Sequence, residues 1–434
     1  MNRRVYVIGA GATAAAFAGC LGRRSGSIDA PGTDISLDAA GGSGTWPQLA
    51  HDARNSRYAP GASGPVDDPE VQWQAFGDRY LTRPVIEDGV YCKARWMEGT
   101  AFAFEADGTE RWSDPSDEGG GDYPPVIVDE LAVFVREEIE AYATNDGSQQ
   151  WVAKPDSYQA GGRNPPNAPT VAEGRLYLAT NDGLVAFDAV SGNVDWEVAI
   201  EESKSGGDET FTWSTPAVAN GRAYTFDRGY GSESLPVYAF DAETGETDWQ
   251  TDIEFDEPLD QQRAFNGHVV ADSDHVFVQV RTIVSGPLGD SSDHEWEAWL
   301  FALDNTTGAI DWTAELPMRA TTPPALADGV LFVPMRHPEE RGGALVTVNA
   351  DDGSMLWAYE TSAGSVQTPA VTLETVYVGQ GSELVAIAVE DGSRRWALDC
   401  GGPVTSSIVA NESVYARTGR GQDDENELVA IREQ

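Results

Sequence analysis

A chain of 434 residues with 41% apolar side chains has material for a substantial core, which excludes global disorder. Its 71 Asp and Glu stand against 28 Lys and Arg, a net charge of −43, and only three of the bases are Lys (Lys93, Lys154 and Lys204). That balance excludes a nucleic-acid binder, which needs a basic footprint on phosphate, and argues against docking on anionic lipid headgroups. Carboxylates spread along the whole chain, with Arg replacing nearly all Lys, read as a halophilic protein whose self-repulsion is screened by molar salt.

The first segment, VYVIGAGATAAAFAGC, admits two readings. Gly9, Gly11 and Ala14 fit the G-x-G-x-x-A of a dinucleotide loop, but residues 21–44 are rich in Gly, Ser and Asp and supply no second strand. Arg3 and Arg4, a modest apolar run over residues 5–19 and the closing Cys20 instead compose a twin-arginine export signal. FAGC resembles a lipobox, with Phe17 in place of the usual Leu, so Cys20 is the expected lipid-attachment site. Residues 1–19 are therefore read as a signal peptide, 20–44 as a flexible linker, and 45–434 as one folded unit. The expected location is the outer face of the cytoplasmic membrane, or secreted, with the lipid as the sole membrane attachment. After residue 20 no apolar run reaches membrane-spanning length.

From residue 85 onward the chain repeats. Each unit begins with a strand–turn–strand pattern such as PTVAEGRLYLA or PAVANGRAYTF, then an 11-residue motif such as AFDAETGETDW or ALDNTTGAIDW. The motif ends in Trp112, Trp151, Trp196, Trp249, Trp312, Trp357 and Trp396, and its turn glycines include Gly192, Gly245, Gly308, Gly353 and Gly392. Counting from Trp73, the tryptophans are separated by 39, 39, 45, 53, 63, 45 and 39 residues. A period near 40 to 45 with four short strands marks a β-propeller blade. Asp and Thr of the motif can bond the turn backbone, Gly takes a positive φ, and Trp packs between neighbouring blades with its N–H on a backbone acceptor.

The last unit stops after Ala430 and Ile431 without a turn or Trp. PEVQWQAF around Trp73 is an unpaired strand at the other end. Joining the two closes an all-β, eight-bladed ring with no open seam. Seven blades is the alternative if the shortened first unit, AFEADGTERW, is degenerate.

The pattern A-x-D-x-x-T-G-x-x-x-W resembles the tryptophan-docking repeat of pyrroloquinoline quinone (PQQ)-type propellers. Ala239, Asp241, Thr244, Gly245 and Trp249 match every position, as do Ala302, Asp304, Thr307, Gly308 and Trp312. TWPQLAHDARNSRYAPG, residues 45–61, looks like that family's lead-in segment. With the leader, the resemblance is to a haloarchaeal-type exported lipoprotein carrying such a propeller over 45–434. The family includes quinoprotein alcohol dehydrogenases and non-enzymatic scaffolds of the BamB type. It therefore implies a fold more sharply than a function.

The dehydrogenases hold PQQ with Ca²⁺ on the propeller axis, above two adjacent cysteines. This chain has Cys92 and Cys400, isolated from each other, and Cys20 in the leader. A C-x-x-C-H haem site is absent, and His51, His268, His275, His294 and His337 fall in no zinc pattern. No catalytic or metal-binding residue is nominated and no cofactor is expected; PQQ with Ca²⁺ belongs to the alternative reading. The expected role is a non-catalytic binding or scaffold module at the cell surface, monomeric, with an extracytoplasmic protein or ligand as partner. The alternative is a PQQ-dependent alcohol or sugar oxidoreductase. Residues 281–299, DRGYGSESLP and MRHPEERGG, in three adjacent units, are the expected binding loops. Cys92 and Cys400 fall in blades that the ring makes neighbours, so a disulfide between them is open.

Overall fold

The structure, a computed structural model, describes residues 13–14, 28, 30–37, 44–76, 81–94, 99–116, 123–155, 168–180, 183–200, 213–227, 234–254, 266–285, 295–320, 322–337, 342–419 and 426–434. Most of the leader and part of the following linker lie outside the described residues. Eight four-stranded antiparallel blades form a propeller ring. Blade 1 runs from inner to outer edge through Val85–Ile86, Val90–Lys93, Ala101–Phe104 and Glu110–Asp114. Blades 2 to 7 follow as residues 126–153, 170–199, 217–254, 266–315, 319–361 and 370–399.

Blade 8 is composite. Val404–Ala410, Ser413–Gly419 and Asn426–Glu433 supply three strands, and Pro69–Phe76 adds the fourth, antiparallel, with Trp73 opposite Ala430. The eight-blade count and the closure expected from the sequence both hold, and the shortened first unit is a full blade. Two sheets carry an extra short strand: Thr13–Ala14 pairs in parallel with Ile310–Glu315, and Arg319–Ala320 pairs with Val330–Arg336 ahead of Ala325–Ala327.

Burial explains the strand compositions. Middle strands are covered on both faces by neighbouring blades, so Thr375–Gln380 is buried at every position, whereas the outer strand Gln149–Ala153 has no fully buried residue. The core is a circle of inter-blade wedges. Tyr177, Leu184 and Trp196 of blade 3 pack with Val218 and Phe240 of blade 4, and Ala302 and Trp312 of blade 5 with Leu331 and Val346 of blade 6. The closing junctions are no looser, since Ile86 and Val90 of blade 1 share a cluster with blades 7 and 8.

Each motif Trp is a wedge between blades. Trp249 donates its indole N–H to the Asn305 carbonyl of the next blade at 3.0 Å and lies flat against Gly308. Gly308 has φ +69°, and a Cβ there would stand 2.6 Å from the ring, so the turn tolerates no side chain. The same pairing joins Trp196 to Gly245, Trp312 to Gly353, Trp357 to Gly392 and Trp151 to Gly192. Trp112 uses Gly147, and Trp73 uses Gly108 across the closing junction. Seven of the eight indoles reach a backbone acceptor; Trp151 has none among the described residues.

Within the span read as a linker, residues 30–37 lie against the outside of blades 6 and 7. Thr33 N–H donates to the Leu356 carbonyl and Ile35 N–H to Glu390, with Ile35 and Leu37 buried. Cys92 and Cys400 are both buried free thiols, so the bridge that the sequence left open is not formed. Burial pushes their pKa values up to about 12 and about 11.

Candidate ligand-binding funnel

Eight inner strands leave eight inward edges whose N–H and C=O groups need partners. Residues 44–63 supply them by circling the channel once, blade by blade. Trp46 pairs with Ile86 of blade 1, the Pro47 carbonyl accepts from Ile127 of blade 2, and the Gln48 side chain brackets Val171 of blade 3. The carbonyls of Ala53, Arg54 and Ser56 accept from Val218, Ala271 and Leu326 of blades 4, 5 and 6. Arg57 and Ala59 bracket Val371 of blade 7, and Ser63 and Gly44 meet Asn411 of blade 8. Turning so tightly puts His51, Asn55 and Arg57 at positive φ (74°, 62° and 57°). Asn55 stabilises its own bend by donating to the carbonyls of Pro216 and Val269, each at 3.1 Å.

The bonded residues lie at the ends of the inner strands next to their first turns. This segment therefore floors the channel at the turn end, with Trp46, Ala50, Ser56 and Ala59 buried. Up-and-down strand order sends every second-to-third-strand connection, and every blade-to-blade connection, to the opposite end. The three segments expected to bind lie there, in blades 4, 5 and 6. Residues 228–233, 286–294 and 338–341 of these segments are outside the described residues. The long insertion is largely strand: His275–Ser285 pairs with Glu295–Asp304 as an extended hairpin, with Arg281 opposite Ala298.

Several bases lie at this end of a chain whose overall charge is strongly negative. Lys93 and Arg136 close the second strands of blades 1 and 2, both buried. Lys93 Nζ donates to the Val135 carbonyl, and Arg136 pairs with Asp114 at 2.9 Å and Glu140 at 2.7 Å. Burial raises the Glu140 carboxyl, partly offset by Arg136. In the cleft between blades 5 and 6, Arg319 faces Arg336 directly across a strand pair. Burial, then Arg281 and Arg336, pull the Arg319 guanidinium below its usual range, and burial does the same to Arg281. On the other side of blade 5, burial and the neighbouring Glu297 raise Glu315.

Arg57 sits on the floor. Its side chain is 4% exposed; one terminal nitrogen donates to the Leu49 carbonyl at 3.3 Å, and Nε meets no acceptor. Burial first, and then the nearby Arg83 on the lead-in to blade 1, depress its pKa. Among the described residues no carboxylate neutralises it.

Calcium needs six or more oxygen ligands, several of them carboxylates. Among the described residues no three His, Cys, Asp or Glu side chains converge to hold a metal, and the cysteines are buried singly. The described lining does not fit a Ca²⁺–PQQ centre. Sequence reading took residues 45–61 only as a lead-in and missed both the floor and the basic rim. The available signal was positional: Lys93, Arg136 and Arg336 fall where a second strand ends, and Arg281 and Arg417 lie in the second half of one.

Comparison with known proteins agrees with this architecture. The chain resembles a quinohemoprotein alcohol dehydrogenase from Pseudomonas putida HK5, with TM-score 0.64 and 12% identity over 90% of this chain and 80% of that one. It resembles BamB from Moraxella catarrhalis with TM-score 0.57 and 17% identity over 84% of this chain and 99% of that one. At these identities the likeness shows the fold alone. An 83-residue stretch is 37% identical to the dehydrogenase subunit of the quinone alcohol dehydrogenases of Gluconacetobacter polyoxogenes and Komagataeibacter europaeus, covering 18% of this chain and only 11% of theirs. The model of the family described as outer membrane protein assembly factor BamB matches residues 32–286 and 236–434, so the chain belongs to that family.

Proposed function

We propose that this propeller is a non-catalytic binding module that receives its partner or ligand at the open end of the ring. The observation that carries this reading is that one end of the ring is floored by its own chain. Residues 44–63 bond to the inner edges of all eight blades and floor it, leaving the loop-bearing rim as the approach. Lys93, Arg136, Arg281, Arg319 and Arg336 bring cationic donors to that end, which suits recognition of a polar or anionic group. The leader reading places the module outside the cytoplasmic membrane, tethered through Cys20 or secreted, and working as a monomer.

The rival is a PQQ-dependent alcohol or sugar oxidoreductase. Titration of the purified protein with PQQ and Ca²⁺ separates the two. A saturable spectral change accompanied by dye-linked oxidation would overturn the binding-module reading. Neither signal should appear, while replacing residues 286–294 by a two-residue turn should release a co-purifying partner without lowering thermal stability.

A further inference from the structure

A guanidinium carries five donors and a charge that does not leave at physiological pH. Buried, it needs a counter-charge or a full set of acceptors, because an unpaired buried charge is strongly destabilising. Among the described residues Arg57 is given neither. Its guanidinium makes one long hydrogen bond there, to Leu49, Nε is unsatisfied, and the charge that acts on it is Arg83, of like sign. This stands out in a chain with 71 carboxylates, where Arg111, Arg136, Arg175 and Arg222 each pair with an acid within 3.0 Å. The backbone at Arg57 is also held at φ 57°, and its carbonyl and Ala59 N–H are tied to Val371 of blade 7. The guanidinium reaches from there to Leu49 and to the neighbourhood of Arg83, which leads into blade 1. It therefore lies inside the ring, over the floor of the channel.

We propose that the floor of the funnel is an oxyanion-binding site, in which Arg57 and Arg83 grip a carboxylate or phosphate group of a small soluble ligand. A planar fork suits both groups, because two parallel N–H···O bonds satisfy donors and charge together. The floor excludes bulk water from one side, which strengthens the pair relative to a surface site. The inference deepens the binding-module reading by naming the ligand class, and it rests on the funnel being open to solutes.

Inorganic phosphate and citrate, titrated calorimetrically into the full chain at fixed molar KCl, test it and separate the two ligand types. At least one should bind saturably at one site per chain. R83Q should weaken that binding at least tenfold and R57Q should abolish it. R57K should weaken it as well, because a point charge replaces the fork. R175Q, at an arginine paired with Asp195 within blade 3 at 2.8 Å and away from the floor, should bind as the wild type does. Where R57Q does not fold, R83Q, at a half-buried arginine on the lead-in to blade 1, carries the test. Absence of saturable binding by both probes, or wild-type affinity in R83Q, overturns the proposal. Neither probe supports dye-linked oxidation, so this site can fail while the module reading stands, and the module reading falls only with that oxidation.

Discussion

The indole N–H of Trp396 donates to the carbonyl of Pro65 at 3.1 Å, across 331 residues of sequence. At six of the other junctions the acceptor lies at or beside the turn before the next blade's outer strand, as with Trp357 and Val389. Blade 8 has no such turn of its own, so the segment preceding Pro69–Phe76 stands in for it, and the Tyr377 hydroxyl bonds the same carbonyl at 3.0 Å. The ring is thus locked twice by the N-terminal segment, once through strand pairing and once through this acceptor.

Trp396→Phe keeps one ring at the junction and removes the donor with part of the packed area, so it should lower unfolding stability by about 1–2 kcal/mol. Trp357→Ala empties a buried wedge and should lower it by about 3–5 kcal/mol. Urea unfolding in molar KCl measures both. Equal midpoints for the two variants and the wild type would contradict the docking account.

A glycine pair isolates the indole contact from backbone strain. Gly353 and Gly329 have nearly the same φ, +72° and +73°, but a Cβ at Gly353 would stand 2.8 Å from Trp312 while one at Gly329 meets nothing within 4 Å. Gly329→Ala should therefore cost about 1 kcal/mol, for the left-handed backbone alone. Gly353→Ala should cost about 1–3 kcal/mol more, because the indole must move. Similar losses at both sites would show that the stack carries no specific energy.

Thiol chemistry checks the closure from another side. Cys92 and Cys400 are buried with pKa values raised to about 12 and about 11, so neither forms appreciable thiolate at pH 8. In the native protein both should resist maleimide, and both should label once urea unfolds the ring. Mass spectrometry of a chain with Cys20 replaced by Ser should count two labels without reductant. A count of zero would mean that the two sulfurs are bonded.

The ring was legible because its cause is local and repeated. Each Asp–Thr–Gly–Trp unit specifies a turn and a wedge within 11 residues, and the missing Trp after Ile431 advertised the strand around Trp73. The channel floor was not legible for the opposite reason. Residues 44–63 follow no strand or helix period, and their partners are backbone edges scattered from Ile86 to Asn411. Arg57 reads as an ordinary base among 28 until the ring brings Arg83 beside it, with no acid paired to Arg57 among the described residues. The insertion after Arg281 misled for a third reason: apolar alternation through TIV and EWEAW continues a hairpin that length alone had marked as loop.

The motif aspartates set an acid limit whose sign can be worked out. Hydrogen bonds from the Thr307 hydroxyl and N–H hold the Asp304 carboxyl below the usual range, and those from Thr244 N–H and hydroxyl do the same for Asp241. A depressed native pKa stabilises the fold above the unfolded-state value, about 3.9, and the contribution is lost as pH falls through the lower native value. Protonation also relieves the repulsion of a net −43 chain, so at low salt the two effects oppose. Molar KCl screens the repulsion and leaves the loss exposed. There the wild-type urea midpoint should fall between about pH 4 and pH 2. Asp304→Asn keeps an acceptor for Thr307 but cannot titrate. Its midpoint should lie below wild type at pH 7, and the difference should shrink towards zero as the pH drops. A difference that stays constant with pH would place the stabilising role of Asp304 in its shape and not in its charge.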